Sequence, residues 1–402
     1  MRSIIKKAVA VLAMTVLPVG LAAAQGIRIG ELSSYSANPQ STDSYRKGWQ
    51  LAVKQINAAG GVLGKPLEVV SRDDTGRPDA ALRAAQELIA NENVALLTGT
   101  YLSHVAVAVA EFAGANKVFF LAGQPQTDAL VWEKGNRYTF RLRNSQRTQV
   151  LAMAHEAAKL PAKRWATIAP NYEFGQSAVV GFRKELQRLR PDVEFVNEQW
   201  PTLGKLEAGA TVQAMIATKP DAVFNATFGA DLAKFVREGN MRGLFEGRPV
   251  FSLLTGDPEY LEPLGDEAPE GWVVTGYPWS QIDTPAHTAF RSAYEKAYGS
   301  PPKIGSLIGY IQMFAIRAII EKAGSTDTEA LIAAARGVTF DTPIGPATFR
   351  PQDHQSTLGF YIGKLKVENG VGKMVDWKFY NGADFQMPDD VVKTLRPEAA
   401  TR

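Results

Sequence analysis

From residue 27 onward, short runs of β-branched, aromatic and aliphatic residues alternate with longer stretches whose apolar positions recur every three to four residues. The first pattern predicts strands at 27–32, 67–71, 94–98, 118–122, 165–169, 194–198, 222–225 and 250–254. The second predicts amphipathic helices at 44–58, 79–91, 103–115, 145–160, 175–189, 206–217 and 230–238. Strands and helices that alternate at this spacing imply parallel sheets covered by helices on both faces. An extra strand-like run at 138–142 interrupts the alternation and marks a crossover between two α/β lobes.

After residue 254 the alternation lapses. A loop rich in Pro, Gly and acid at 256–271 leads to a strand at 272–277, then helices at 285–298, 304–323 and 328–336. Three strand-like runs close the chain at 347–350, 358–367 and 374–380, the last two joined by Asn369-Gly370, a hairpin turn signal. No internal repeat or low-complexity linker separates these parts.

Composition narrows the function classes. The 402 residues include no Cys, which excludes disulfides, thiolate metal sites and a thiol nucleophile. The first 24 residues pair Arg2, Lys6 and Lys7 with an apolar stretch at 8–21 and end Ala22-Ala23-Ala24, the three parts of a secretory signal peptide. That stretch is too short to span a bilayer, and no Cys follows to carry a lipid, so the expected mature protein is not membrane-anchored. The segment holds three of the 44 basic residues and none of the 41 acidic ones. The remainder is therefore charge-balanced, without the basic excess of a nucleic-acid binder.

Catalytic signatures fail on inspection. Gly60-Gly61-Val62-Leu63-Gly64-Lys65-Pro66 lacks the first glycine of a phosphate loop and has Pro66 where a magnesium-holding hydroxyl belongs. No nucleophile elbow is present. His104, His155, His287 and His354 are too scattered in sequence for a metal motif. Asp73-Asp74 precedes Thr75-Gly76-Arg77-Pro78 and reads as a turn and helix start.

Binding chemistry is better supported. Open parallel sheets bind ligands beyond the carboxyl ends of their strands, where helix N-termini favour anions. Two junctions suit a carboxylate: residues 98–103, with Ser103 as a capping hydroxyl, and residues 123–128, with Gln126 and the second capping hydroxyl, Thr127. Aromatic residues stand at other strand ends, Tyr35, Tyr172, Phe174, Phe228, Tyr277 and Trp279, and Tyr101 lies within the first junction. Together they predict the wall of a cleft for a small organic ligand.

Four stretches resemble the branched-chain amino-acid (Leu/Ile/Val-binding) family of periplasmic solute-binding proteins of ABC transporters. They are residues 48–64, which carry a G-x-x-L-A-x-x-x-I-N-A-A-G-G-V-x-G pattern, residues 99–103, residues 126–130 and residues 171–177. Asp353-His354-Gln355-Ser356-Thr357-Leu358-Gly359 resembles one subgroup of the same family. The resemblance implies an α/β fold of two Rossmann-like lobes, a type I periplasmic binding protein with the ligand cleft between them. Three hinge crossings are expected near residues 141–145, 274–277 and 349–354. Residues 25–143 plus 276–351 would form the first lobe, and 144–275 plus 352–402 the second.

The resemblance also implies a receptor rather than an enzyme, without cofactor or metal, that closes on a carboxylate-bearing ligand and delivers it to an inner-membrane ABC permease. Ser103 and Thr127 match the carboxylate-holding positions, and Phe174 and Phe228 match aromatic ones. The family's ammonium-binding acid is not matched cleanly; Asp257 and Asp231 are the candidates, and an aromatic or other organic acid lacking an ammonium is the alternative ligand. A ligand-sensing regulatory protein on the same fold is the competing role, and a secreted α/β enzyme is a further one disfavoured by the missing catalytic constellation. The leader reading gives a first expected outcome: N-terminal sequencing of exported protein begins at Gln25. A sequence beginning at Met1 would contradict it.

Overall fold

A computed structural model describes residues 26–396; the proposed leader lies outside them. The first sheet is parallel, with strand order β2-β1-β3-β4-β5. It comprises β1 (Ile27–Ser33), β2 (Leu67–Asp73), β3 (Leu96–Gly99), β4 (Phe120–Ala122) and β5 (Thr139–Arg141). Helices α1 (Pro39–Ala58), α2 (Pro78–Ala90) and α3 (Ser103–Asn116) follow the first three strands.

The chain then crosses to α4 (Gln146–Ala157) and a second, seven-stranded sheet. Its parallel part is β6 (Arg164–Ile168), β7 (Glu194–Gln199), β8 (Ala222–Asn225), β9 (Val250–Gly256) and β10 (Val273–Gly276), interleaved with α5 (Glu173–Leu189), α6 (Ala208–Ala217), α7 (Gly229–Met241) and the four-residue α8 (Pro258–Leu261). Three helices return to the first lobe: α9 (Pro285–Tyr298), α10 (Ile304–Ala323) and α11 (Thr328–Ala335). A two-stranded ribbon, β11 (Thr339–Phe340) and β12 (Ala347–Thr348), precedes the last passage into the second sheet. There β13 (Phe360–Glu368) adds antiparallel to β10 and pairs with β14 (Val371–Tyr380) around the Asn369-Gly370 turn, both residues of which have positive φ.

Helix α10 is long and apolar enough to cross a membrane, but most of it is buried inside the first lobe against α1. Small residues let the two backbones touch. A Cβ on Gly48 would lie 2.0 Å from the Ser306 carbonyl oxygen, and one on Gly309 would lie 2.3 Å from that of Tyr45. The G-x-x-L-A pattern of the sequence is therefore a packing requirement as well as a family mark.

The first and third crossings are bonded to each other. Arg141 and Gln355 form a parallel bridge, Arg141 N–H donates to the His354 carbonyl at 3.0 Å, and Ser356 N–H donates to the Arg141 carbonyl at 3.0 Å. His354 stacks on Phe140 at 3.9 Å between ring centres, and Trp132 Nε1 donates to Asp353 at 3.1 Å. The Asp353-His354-Gln355 sequence thus ties the two crossings together.

One boundary is corrected. The described C-terminal helix α12 (Asp389–Leu395) was expected with the second lobe, yet Val392 and Met387 are buried in the first-lobe core cluster of α2 and α3. Arg396, just past the helix, donates to the Asp353 carbonyl at 2.9 Å, and Arg350 pairs with Asp389 at 2.6 Å. The apolar residues of this short helix, Val391, Val392 and Leu395, have their partners there. The close packing of α1 on α10 supplies a prediction. Gly48→Val should lower the unfolding free energy by about 1–3 kcal/mol or more, because backbone must move to admit the side chain. Urea denaturation with an unchanged midpoint would contradict the contact.

Candidate functional site

The carboxyl ends of the two sheets face each other, and a narrow cleft lies between them. The first lobe supplies Tyr101, Leu102, Ser103, Gln124 and Gln126; the second supplies Tyr172, Phe174, Phe228, Leu254 and Tyr260. Arg143, from the first crossing, completes the lining and is its only formally charged residue.

Local backbone geometry sets these side chains. Gly99 and Thr100 both have positive φ, at 104° and 61°. A Cβ at Gly99 would meet the Leu32 carbonyl at 2.2 Å, so only glycine fits beside β1. Thr100, a β-branched residue in the left-handed region, is a strained position of the kind that clusters at binding sites. This turn lifts Tyr101 into the cleft and starts α3 at Ser103. Leu254, also at positive φ (64°), plays the matching part at the end of β9.

The cavity wall is a chain of rings. Phe174 meets Phe228 edge-on at 5.6 Å, Tyr172 stacks near Phe174 at 6.1 Å, and Phe228 lies 6.0 Å from Tyr260. The hydroxyls of Tyr101 and Tyr260 share a hydrogen bond of 2.6 Å across the lobe interface. Burial pushes the phenols of Tyr101, Tyr172 and Tyr260 above their ordinary range, so all three stay neutral.

Polar groups converge at one end. Arg143 Nη2 lies 3.2 Å from Asp257 Oδ2, both side chains less than 10% exposed. The Arg143 backbone is clamped by N–H donation to the Gly123 carbonyl at 3.2 Å and by Gln355 Nε2 donating to its carbonyl at 3.0 Å. Gln124 Nε2 is buried at the cavity with no protein partner. Behind Arg143, toward the crossings, a second small cavity is lined by Asn144, Gln149, Asp257 and Tyr277 among others. The amide nitrogen of Asn144 and the amide oxygen of Gln149 likewise lack protein partners. Unpaired buried amides cost free energy unless a ligand or water meets them, so this end of the cleft is built for a polar group.

Several expected residues stand elsewhere. Neither hydroxyl of the expected cradle caps a helix: Leu102 occupies the N-cap of α3, with Ser103 inside the first turn, and Thr127 precedes a three-residue turn without a side-chain bond to it. Ser103 faces the cavity, whereas Thr127 is buried outside its lining and receives the Arg141 side chain on its backbone carbonyl. Asp231 accepts from the amides of Gly204 (2.7 Å) and Leu206 (3.1 Å), which fixes a loop of the second lobe. Tyr35 is likewise occupied, bonded to Glu31 at 3.0 Å and Trp49 at 3.1 Å under the Arg46 guanidinium. Tyr277 bonds His287 at 2.6 Å and lines the second cavity rather than the ring-walled one. Asp257 faces Arg143 there, away from the ring-lined space. Sequence reasoning missed Arg143, Gln124 and Tyr260. The first had a signal, since Arg141-Leu142-Arg143 places two cations in a strand-like crossing.

Two α/β lobes, paired crossings and an interlobe cleft lined by one buried cation define a solute-binding protein of the hinged, cleft-closing class. The model of the periplasmic binding protein family matches residues 26–371, and the chain belongs to that family. Among its relatives is Leu/Ile/Val-binding protein homolog 3 of Brucella melitensis, 25% identical over 80% of this chain and 86% of that protein. The leucine-, isoleucine-, valine-, threonine-, and alanine-binding protein of Pseudomonas aeruginosa is 25% identical over 80% of this chain and 85% of its own. A solute-binding protein of an ABC transporter from Rhodopseudomonas palustris BisB5, solved with 3,4-dihydroxybenzoic acid, superposes with a TM-score of 0.80 at 25% identity, covering 89% of this chain and 98% of that one.

The buried ion pair makes a pH prediction. Burial, opposed by Arg143, pushes the Asp257 carboxyl up to about 7. The folded state therefore holds this proton more tightly than the unfolded chain. Its contribution to stability is fully present below about pH 4 and is lost as pH rises through about 7. The stability of Asp257→Asn relative to the parent should rise by on the order of 4 kcal/mol between those pH values. Parallel pH profiles in denaturant unfolding would refute it.

Proposed function

We propose that this chain is an extracytoplasmic receptor that captures a small carboxylate-bearing solute by lobe closure and passes it to an ABC permease, after export directed by residues 1–24. The observation that carries the reading is the buried Arg143 guanidinium at one end of a cavity otherwise walled by neutral rings and amides. Arg143, Gln124 and the first turn of α3 with Ser103 would meet the carboxylate; the rings would cover the apolar part. Burial of those rings is worth roughly 25 cal/mol per Å2 of apolar surface removed from water, and the charge fixes orientation. Binding performs no covalent chemistry, so the ligand leaves as it arrived.

Two ligand chemistries fit this description. An amino acid of the kind named for the Brucella and Pseudomonas relatives would place its ammonium toward Asp257. That acid lies across Arg143 from the ring-lined space, so the ion pair would have to open. An aromatic carboxylate such as that bound by the Rhodopseudomonas protein needs no acid, and no carboxylate is among the residues lining the ring-walled cleft. The specific observation of five rings around one cation favours this second chemistry.

Calorimetry with L-leucine, L-valine, L-phenylalanine, benzoate, 4-hydroxybenzoate and 3,4-dihydroxybenzoate distinguishes them. Arg143→Gln should cost any carboxylate ligand about 2–5 kcal/mol of binding free energy, whereas Thr127→Ala should leave affinity unchanged. Unaltered affinity in Arg143→Gln would refute the anion site.

A further inference from the structure

Helix α8 is only four residues long, yet the segment containing it makes most of the polar contacts between the second lobe and the α1–α10 face of the first. Glu259 is the centre of these contacts. Its side chain is fully buried, and it accepts from Ser44 Oγ at 2.9 Å, from Gly305 N–H at 2.8 Å and from Ile304 N–H at 3.2 Å. Those two amides belong to the first turn of α10, a 20-residue helix, and the carboxylate caps them from the opposite lobe. The Glu259 carbonyl also receives the Gln40 side chain, and beside it Lys303 pairs with Glu262 at 2.5 Å.

The notch that admits this carboxylate exists because α1 and α10 touch. A Cβ on Gly305 would lie 2.4 Å from Ser44 Oγ and 2.6 Å from the Ser41 carbonyl, so glycine keeps the gap open. The residues beside Glu259 face the ligand end: Asp257 meets Arg143, and Tyr260 meets Tyr101 and Ser41 at 2.6 and 2.9 Å.

We propose that Glu259 is an interlobe latch: a positioning residue that docks the second lobe on the N-terminus of α10, seats Tyr260 in the cavity wall, and by itself populates the closed arrangement. The latch contributes to affinity by lowering the cost of closing, since a binder whose competent state is already populated loses less of its intrinsic affinity. It does not depend on which ligand occupies the cleft, so a failed ligand screen and a failed latch are separate results.

The test measures lobe separation directly. The chain has no Cys, so Lys54→Cys on α1 and Met241→Cys at the end of α7, both exposed, accept one spin label each. Pulsed dipolar spectroscopy on the labelled protein should show a major short-distance population matching the lobe separation of this structure. Glu259→Ala should reduce that population at least tenfold in favour of longer distances. Glu259→Gln, which keeps an acceptor oxygen, should retain most of it. Ser44→Ala, which removes one donor without unpairing α10, should shift it partway and guards against misfolding of the alanine variant, with circular dichroism as the folding check. A labelled parent with only longer distances, or an alanine variant with the parent's distribution, would overturn the latch.

Discussion

A guanidinium withdrawn from water must meet an opposite charge, or the structure around it will not stay closed. Arg143 and Asp257 satisfy that demand across the lobe boundary, at 3.2 Å and with both side chains buried, once the pH exceeds about 7 and the Asp257 carboxyl is ionised. The pair is not a gain by itself, because desolvating two ions costs about as much as their attraction returns. What it does is make the closed arrangement conditional. Separating the lobes rehydrates both charges, and closing them without registering the pair would strand one. The fixed partner in this exchange is Arg143, whose backbone is held by Gly123 and Gln355 on either side.

That clamp explains the position of the Asp353-His354-Gln355 sequence far from any ring of the cavity. Gln355 bonds the Arg143 carbonyl and the Arg141 side chain, Asp353 holds Trp132 and Arg350, and His354 stacks on Phe140. Burial and the cations Arg396 and Arg336 lower the His354 imidazole well below its ordinary range, so it stays neutral in the hinge. The residues that look most chemical in this part of the sequence are therefore structural. They hold the backbone of the one cation that lines the interlobe cleft.

The sequence made the fold legible because strand–helix alternation is a local signal. Each strand of the first sheet was anticipated within a few residues, and the Asn369-Gly370 turn joined the predicted hairpin. Ser103, Gln126, Tyr101, Tyr172, Phe174 and Phe228 line the cavity because they sit at strand carboxyl ends, which topology alone brings together. Asp231 and Thr127 were misjudged for a different reason. Their type and place suit a ligand, but hydrogen bonding within their own neighbourhood had already used the carboxylate of the first, and the backbone turned the second out of the lining. No periodicity reports which of two acids has a local partner. The C-terminal helix eluded the domain division similarly, since seven residues carry no mark of which core they join.

The second lobe's half of the closure depends on how β9 and β10 end. Their register slips between Val274 and Gly276, where Gly276 lies so close to Gly256 that a Cβ would sit 2.3 Å from the Gly256 carbonyl carbon. Such an irregularity bends and twists the strand end. It is followed by the Asp257 N–H donating to the Leu254 carbonyl at 2.9 Å, with Leu254 in the left-handed region. This compact turn leaves little freedom in the direction of the segment that follows. Asp257, Glu259 and Tyr260 can meet an arginine, a helix N-terminus and a tyrosine of the opposite lobe together only if that direction is fixed beforehand. The close approach of Gly256 and Gly276 thus sets the direction from which Asp257, Glu259 and Tyr260 reach the opposite lobe.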